Sequence, residues 1–411
     1  MEIILKCNSK NYTRKHICML VIVSCFISSI GLCQTYNKTM QRLPDTGQNN
    51  SYTSTFGEDN DFLIYSPYFL LNGNGTVTDT ITGLMWQQAD GGEMTIENAI
   101  QYCSNLNLGG FNDWRLPNAH EAFSILNHQN TNPSLNTSVF TTTTAEYWWT
   151  SDFQLNDNTK VWATNAGGGI GNHPKTETIS AGGIKRFHVR AVRSVSSSTL
   201  LTNHFTDNGN GTITDNSTKL IWQKNPYADT LTWEQALNYA NTLTVSGMSD
   251  WRLPNIKEIQ SINDELLSNP SINPSYFGFT TAKKIWSSTT LPNQTSKAWY
   301  LDSQFGITTH ANKTNKINVI CVRGSQLTSI GIIENKTIRK EISAYPNPFN
   351  SKINLKGLNV NNTTVELYDC FSRMLYFGNN ISEQDFSDLP KGIYFLKDIN
   401  FSFPPIKLVK E

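Results

Sequence analysis

Between residues 64 and 323 the order of apolar and polar positions runs through one programme twice. "GTVTDT" from Gly75 and "GTITDN" from Gly211 alternate residue by residue, the period of a strand with one face buried. Each follows an "NGNG" at 72–75 or 208–211, and Asn-Gly accepts positive φ, so each predicts a hairpin. The pattern then changes to helical spacing: Ile96, Ala99, Ile100, Cys103 and Leu106 in one copy, Trp233, Ala236, Leu237, Ala240 and Leu243 in the other. Thr95 and Thr232 predict N-caps, with Glu97 and Glu234 in the first turns. Gly110 and Gly247 are expected to end these helices. A short second helix follows, carrying Glu121, Ile125 and Leu126 or Glu258, Ile259 and Ile262. "WWTS" with "VWATN", "IWSS" with "AWYLD", and a closing "VRAVR" or "ICVR" read as strands of a small antiparallel sheet. The fold class is α+β, as two tandem modules at 64–193 and 202–323 joined by "SVSSSTLLT".

The copies share an identical "DWRLPN", and Trp114 to Trp251 is a step of 137 positions. Asp113, Trp114, Arg115 and Pro117, with Asp250, Trp251, Arg252 and Pro254, are either a reaction centre used twice or a structural bolt. The structural reading puts Trp114 and Leu116 in the core and gives Pro117 the start of the next helix. Arg115, a five-donor fork, ties loops together or pairs with a carboxylate. No nucleophile–base pair completes a catalytic set in either copy, so the bolt is expected.

Charge narrows the partners. Lys plus Arg number 33, as do Asp plus Glu, so no net field points toward nucleic acid. Charged residues make up 16% and aromatics 11%, which suits a β- and loop-rich extracellular chain with real cores. Lys6, Lys10, Arg14 and Lys15 before "ICMLVIVSCFISSIGL" predict a signal peptide over 1–33, with cleavage after Cys33. Residues 34–63 are expected to be a linker. Cys103, Cys321 and Cys370 then remain, too few and too odd for a disulfide scaffold.

The string "NGNGTVTD…GLMWQQ…GGFNDWRLPN…YWWTS…VW…VRAVR" resembles the Lcl C-terminal domain family, named after a bacterial collagen-like adhesin. The resemblance covers nearly all of both modules. It implies a C-type-lectin-like fold and an association with glycosaminoglycans and host surfaces. It also implies a helix-to-strand cysteine clip. Here copy one keeps Cys103 but has Ala191, and copy two keeps Cys321 but has Ala240. Two buried free thiols are expected, with a bridge between modules as the alternative. "RLP…E" also resembles the formylglycine-generating family, whose chemistry needs a reactive thiol pair; the sequence supplies none, and no enzyme is expected.

Metal chemistry is thin. Asp207, Asn210 and Asp215 are the candidate calcium oxygens, but Leu71 replaces Asp207 in copy one. No cofactor is expected, calcium being the one alternative. His173 and His188 read as surface or loop residues. Recognition by the surface remains. If Trp149 is core, strand alternation turns Trp148 outward, available to stack on a glycan. Asp152 and Asn165 lie beside it, the latter in the Gly/Asn/Thr-rich loop over 163–185. Lys283, Lys284 and Lys297, together with Lys313 and Lys316, give copy two a candidate anion patch. Copy one carries about three more acids than bases.

After a linker at 324–342, residues 343–411 predict three or four alternating strands, a small all-β, Ig-like sandwich. "YPNPF", "LYD…R", "LP.GIY" and a final "KLVK" resemble the type A C-terminal sorting domain of the type IX secretion system. That resemblance implies outer-membrane export, removal of the tail with Cys370, and surface attachment or release. The expected protein is a secreted or surface-displayed binding protein for glycans or other surface macromolecules, paired modules adding avidity. A purely architectural role is the other non-catalytic alternative.

Overall fold

The computed structural model describes residues 35–62, 65–141, 144–176, 187–195, 197–324, 343–356, 364–369, 374–398 and 406–411. The signal peptide with Cys33, the linker beyond Gly324, Cys370 and part of the 163–185 loop lie outside the described residues. The described residues are mostly β with few helices, 12% helical and 35% strand.

Strand β1 (Tyr36–Lys38) precedes the first module, which begins with β2 (Phe69–Leu71), β3 (Thr76–Asp79) and β4 (Leu84–Gln87). The expected hairpin joins β2 to β3, with Gly73 and Gly75 both at positive φ. Helix α1 (Ile96–Asn105) is capped by the Thr95 hydroxyl, which accepts from the Asn98 N–H. It ends at Leu106, not at Gly110. Leu106 turns extended to pack on the core, and Gly110 sits in the separate Leu108–Phe111 turn at φ +85°. Helix α2 (Ala119–Ser124) also starts later than expected. Asn118 is its N-cap, exchanging hydrogen bonds with Glu121 in a capping box, so Pro117 lies outside the helix.

The module closes with β5 (Tyr147–Gln154), β6 (Asp157–Asn165), β7 (Ile170–Pro174), β8 (Phe187–His188) and β9 (Val192–Ser194). Two sheets form, in the orders β2-β3-β4-β9 and β7-β6-β5-β8. The closing strand therefore joins the hairpin, not the tryptophan sheet. After β10 (Thr199–Leu201) the second module repeats the plan: β11 (Phe205–Asp207), β12 (Thr212–Asp215), β13 (Ile221–Gln223), α3 (Trp233–Thr242), α4 (Ile256–Ser261), β14 (Lys284–Thr290), β15 (Lys297–Asp302), β16 (Ile307–Asn312) and β17 (Val322–Arg323). The tail has β18 (Ser343–Tyr345), β19 (Asn354–Lys356), β20 (Val365–Asp369), β21 (Met374–Gly378), β22 (Gly392–Asp398) and β23 (Ile406–Lys410). A two-stranded and a four-stranded sheet there enclose one core around Phe349, Leu367 and Leu396.

The modules do not hang on a flexible joint. Helix α2 packs on α4, and β7 on β16, each element meeting its own counterpart. This is the contact pattern of a two-fold dimer, made within one chain. Each tryptophan sheet is buried on both faces. Trp149, Val161 and Ala163 face α1, while Trp148, Trp162 and Ile170 enter a central core shared with Trp299, Leu301 and Ile259 of the second module. Trp148 is 5% exposed, which overturns the outward ligand platform expected for it. Alternation is obeyed; what the other face meets is a second module, not water.

The expected N-terminal linker is also packed structure. Strand β1 pairs with β10 of the intermodule segment. The chain then crosses to the second module as a strap that buries Asp45, Thr46, Gln48, Glu58 and Asp59. Gln48 exchanges hydrogen bonds with the Thr290 backbone, and the Thr289 hydroxyl donates to Asp59. The Lys257 ammonium donates to the carbonyls of Asp45 and Ser124, joining strap and both modules.

Candidate ligand-binding surface

The repeated hexapeptide is a bolt, and its parts can be assigned. Arg115 reaches Glu121 with both terminal nitrogens, at 2.7 and 2.8 Å, while Glu121 accepts from the Asn118 N–H. Arg252, Glu258 and Asn255 repeat this, fully buried. One carboxylate thus serves as the arginine's partner and as half of a helix cap. Asp113 and Asp250 hold Arg193 and Arg323 on the closing strands, and those guanidiniums keep both carboxyls below the usual range. Trp114 and Trp251 fill the cores under α1 and α3. Pro117 and Pro254 precede the caps, their carbonyls accepting from Ser151 and Ser288.

The remaining sequence candidates separate. The Asp152 carboxylate accepts from the Ala119 N–H at the start of α2. Burial pushes its pKa up. Asn165 lies in the seam between modules, its side-chain oxygen accepting from the N–H groups of Gly167 and Gly169. Trp148 is core. Lys283 is exposed, with its backbone bound to Ser303. Lys313 lies 3.7 Å from the Trp233 ring centroid, over α3. Lys284 and Lys297 do come together. With Tyr300, His310, Asn312 and Lys316 they line an open basin of about 610 Å³ on the outer edge of the β14-β15-β16 sheet.

The basin is built by strand register. Lys284 pairs opposite Asp302 and Lys297 opposite Asn312, so the two lysines come from adjacent strands, while Lys316 arrives from the loop beyond β16. Lys284 stands 5.5 Å from the Tyr300 ring centroid. Burial and the nearby Lys297 charge lower the His310 pKa, leaving a neutral imidazole at pH 7. Among the described residues no carboxylate forms an ion pair with Lys284, Lys297 or Lys316. Sequence reasoning singled out the lysines and missed Tyr300, His310 and Asn312. The register sets Tyr300 opposite Thr309 and His310 opposite Trp299, on different faces, so strand alternation gave no signal that would have grouped them.

Elsewhere the candidate calcium oxygens serve local partners. Asp207 pairs with Lys224, while Asp215 takes His204, Ser217 and Thr218. His188 is buried against Asp90 at 2.9 Å, not on the surface. Cys103 and Cys321 are both buried free thiols; burial pushes Cys103 up to about 12 and Cys321 higher still.

Comparison with known families divides the chain into the same segments. The secretion system C-terminal sorting domain matches residues 343–401, and the chain is a secreted or cell-surface protein that engages the type IX sorting machinery. No helix among the described residues is long and apolar enough to cross a membrane. No curated protein and no solved structure matches the chain. The Lcl C-terminal domain matches twice, at 75–193 and 211–323. Those two matches cover more than half of the 411 residues, and the chain belongs to the Lcl C-terminal domain family.

Proposed function

We propose that this is a non-catalytic binding protein of the cell exterior whose second module holds an acidic glycan in the Lys284–Lys297–Lys316 basin. On this reading each module is a C-type-lectin-like unit and the tail an Ig-like sandwich removed or anchored on export. One observation carries it: three lysines with no carboxylate partner among the described residues line one open concavity at the sheet edge, beside an aromatic ring. Sulfate or carboxylate groups along a polysaccharide would meet those ammoniums, and Tyr300 offers an apolar edge for the sugar ring. An enzymatic reading finds no support in the two thiols, which are buried in different modules and protonated at neutral pH.

The test is retention of the full chain on heparin and on a neutral glucan across a salt series. A Lys284→Ala/Lys297→Ala/Lys316→Ala variant is compared in parallel. Exposed ion pairs contribute up to about 1 kcal/mol each, so the variant should bind heparin at least about tenfold more weakly. Binding should fade with salt and be indifferent to chelator. Equal retention of variant and native protein would remove the basin from consideration.

A further inference from the structure

The two modules carry the same groove, and only one is filled. In the second module the strap lies over the outer side of α3 and the bolt. The Thr53 hydroxyl donates to Glu234, the Asn241 amide donates to the Phe56 carbonyl, and Thr289 donates to Asp59. The Arg252 guanidinium lies 5.5 Å from the Phe62 ring centroid. The counterparts in the first module, 137 positions earlier, are Glu97, Ser104, Asp152 and Arg115. Among the described residues nothing comparable covers them. The side chain of Arg115 is 40% exposed against 2% for Arg252, and Ile100 is 46% exposed against 0% for Leu237. Ser151 is exposed where Ser288 is buried. Between them lies an open groove of about 520 Å³, lined by Ile100, Ser104, Arg115, Asn118 and Ser151, with Asn37 of β1 on one wall.

We infer that this groove of the first module is a docking site for an extended peptide segment of a partner protein, bound as residues 53–62 bind the second module. The filled groove also specifies the ligand chemistry. An aromatic side chain stacks on the exposed guanidinium face of Arg115, whose two terminal nitrogens are already committed to Glu121. The other end differs in charge. Where Thr289 donates to Asp59, the first module presents the Asp152 carboxylate of β5. An aspartate there would meet like charge, so the segment carries a hydroxyl or ammonium donor in its place. The same difference accounts for why the chain's own strap fills the second groove and not the first. This site is separate from the lysine basin, and its partner is a polypeptide rather than a glycan.

The test uses fluorescein-labelled peptides of residues 51–62, "SYTSTFGEDNDF", titrated with the full chain and read by anisotropy. The Asp59→Lys peptide should bind, at least about tenfold more tightly than the native peptide. A Phe62→Ala change in it should cost about tenfold or more. On the protein, Ser104→Trp and, separately, Ser151→Trp fill the groove from exposed positions outside the core, and each should abolish binding while melting like the native chain. Both variants binding as well as native protein would place the peptide elsewhere, including on the second module by strap exchange, and would overturn the inference. So would failure of the Asp59→Lys peptide to bind the folded native chain, or tighter binding of the unmodified peptide.

Discussion

The seam between the modules makes stability depend on pH through one largely buried pair. His120 at the start of α2 faces Glu265 of the second module, Nε2 to Oε1 at 3.1 Å, an ion pair whose angle falls short of a hydrogen bond. Burial alone would lower the His120 pKa, but Glu265, with Asp152 and Asp264 behind it, outweighs burial and lifts it to about 9. A histidine raised in the folded state stabilises fully below its unfolded value near 6.5 and loses that contribution as pH climbs through the folded value. The gap, at about 1.4 kcal/mol per pH unit, amounts to about 3 kcal/mol lost between pH 6 and pH 9.5. Lys257 works in the opposite sense. Burial lowers its ammonium to about 8, so its cost to the fold is relieved as pH rises through that range. The clean measurement is therefore a difference, with urea unfolding of native protein against a His120→Gln/Glu265→Gln variant at both pH values. The stability difference should shrink by about 3 kcal/mol on going to pH 9.5. A difference that stays constant would mean that His120 is neutral in the seam and the ion-pair argument fails.

The bolt should weigh differently in its two settings. Glu258→Gln strands the buried Arg252 guanidinium and should cost about 3–5 kcal/mol in urea unfolding. Glu121→Gln leaves Arg115 in reach of water and should cost clearly less; equal losses would refute the burial argument. Trp148→Ala should remove about 3–5 kcal/mol by opening a cavity in the shared core, while heparin retention at a temperature where the variant stays folded is unchanged. Loss of retention in that folded variant would return Trp148 to the binding face.

Much of the module was legible because local rules wrote it. Thr95 and Thr232 cap helices, the Asn-Gly pairs turn hairpins, and Arg115 finds a carboxylate, all from neighbours within a few positions. Trp148 was read correctly as lying opposite Trp149 and wrongly as solvent-facing. Period-two alternation states which face a residue takes, never what covers that face. The strap failed for a related reason. Its residues are polar and turn-rich like a linker, and only long-range hydrogen bonds to Thr289, Thr290 and Lys257 reveal a buried segment. Lys284 and Lys297 were found by charge, yet Tyr300 and His310 join them only through the shape of the sheet edge, which no local pattern encodes.

The strap also bears on the rate at which the protein comes apart. Gln48 meets Thr290 across 242 positions, and Asp59 meets Thr289 across 230. Contacts closing loops of that size form late on a folding path, after the segments between them are in place. Interactions absent from the transition state leave the folding rate nearly untouched and slow unfolding instead. The strap is thus a kinetic latch: it adds to the lifetime of the assembled pair of modules, the quantity that matters outside a cell, where no chaperone refolds what has opened.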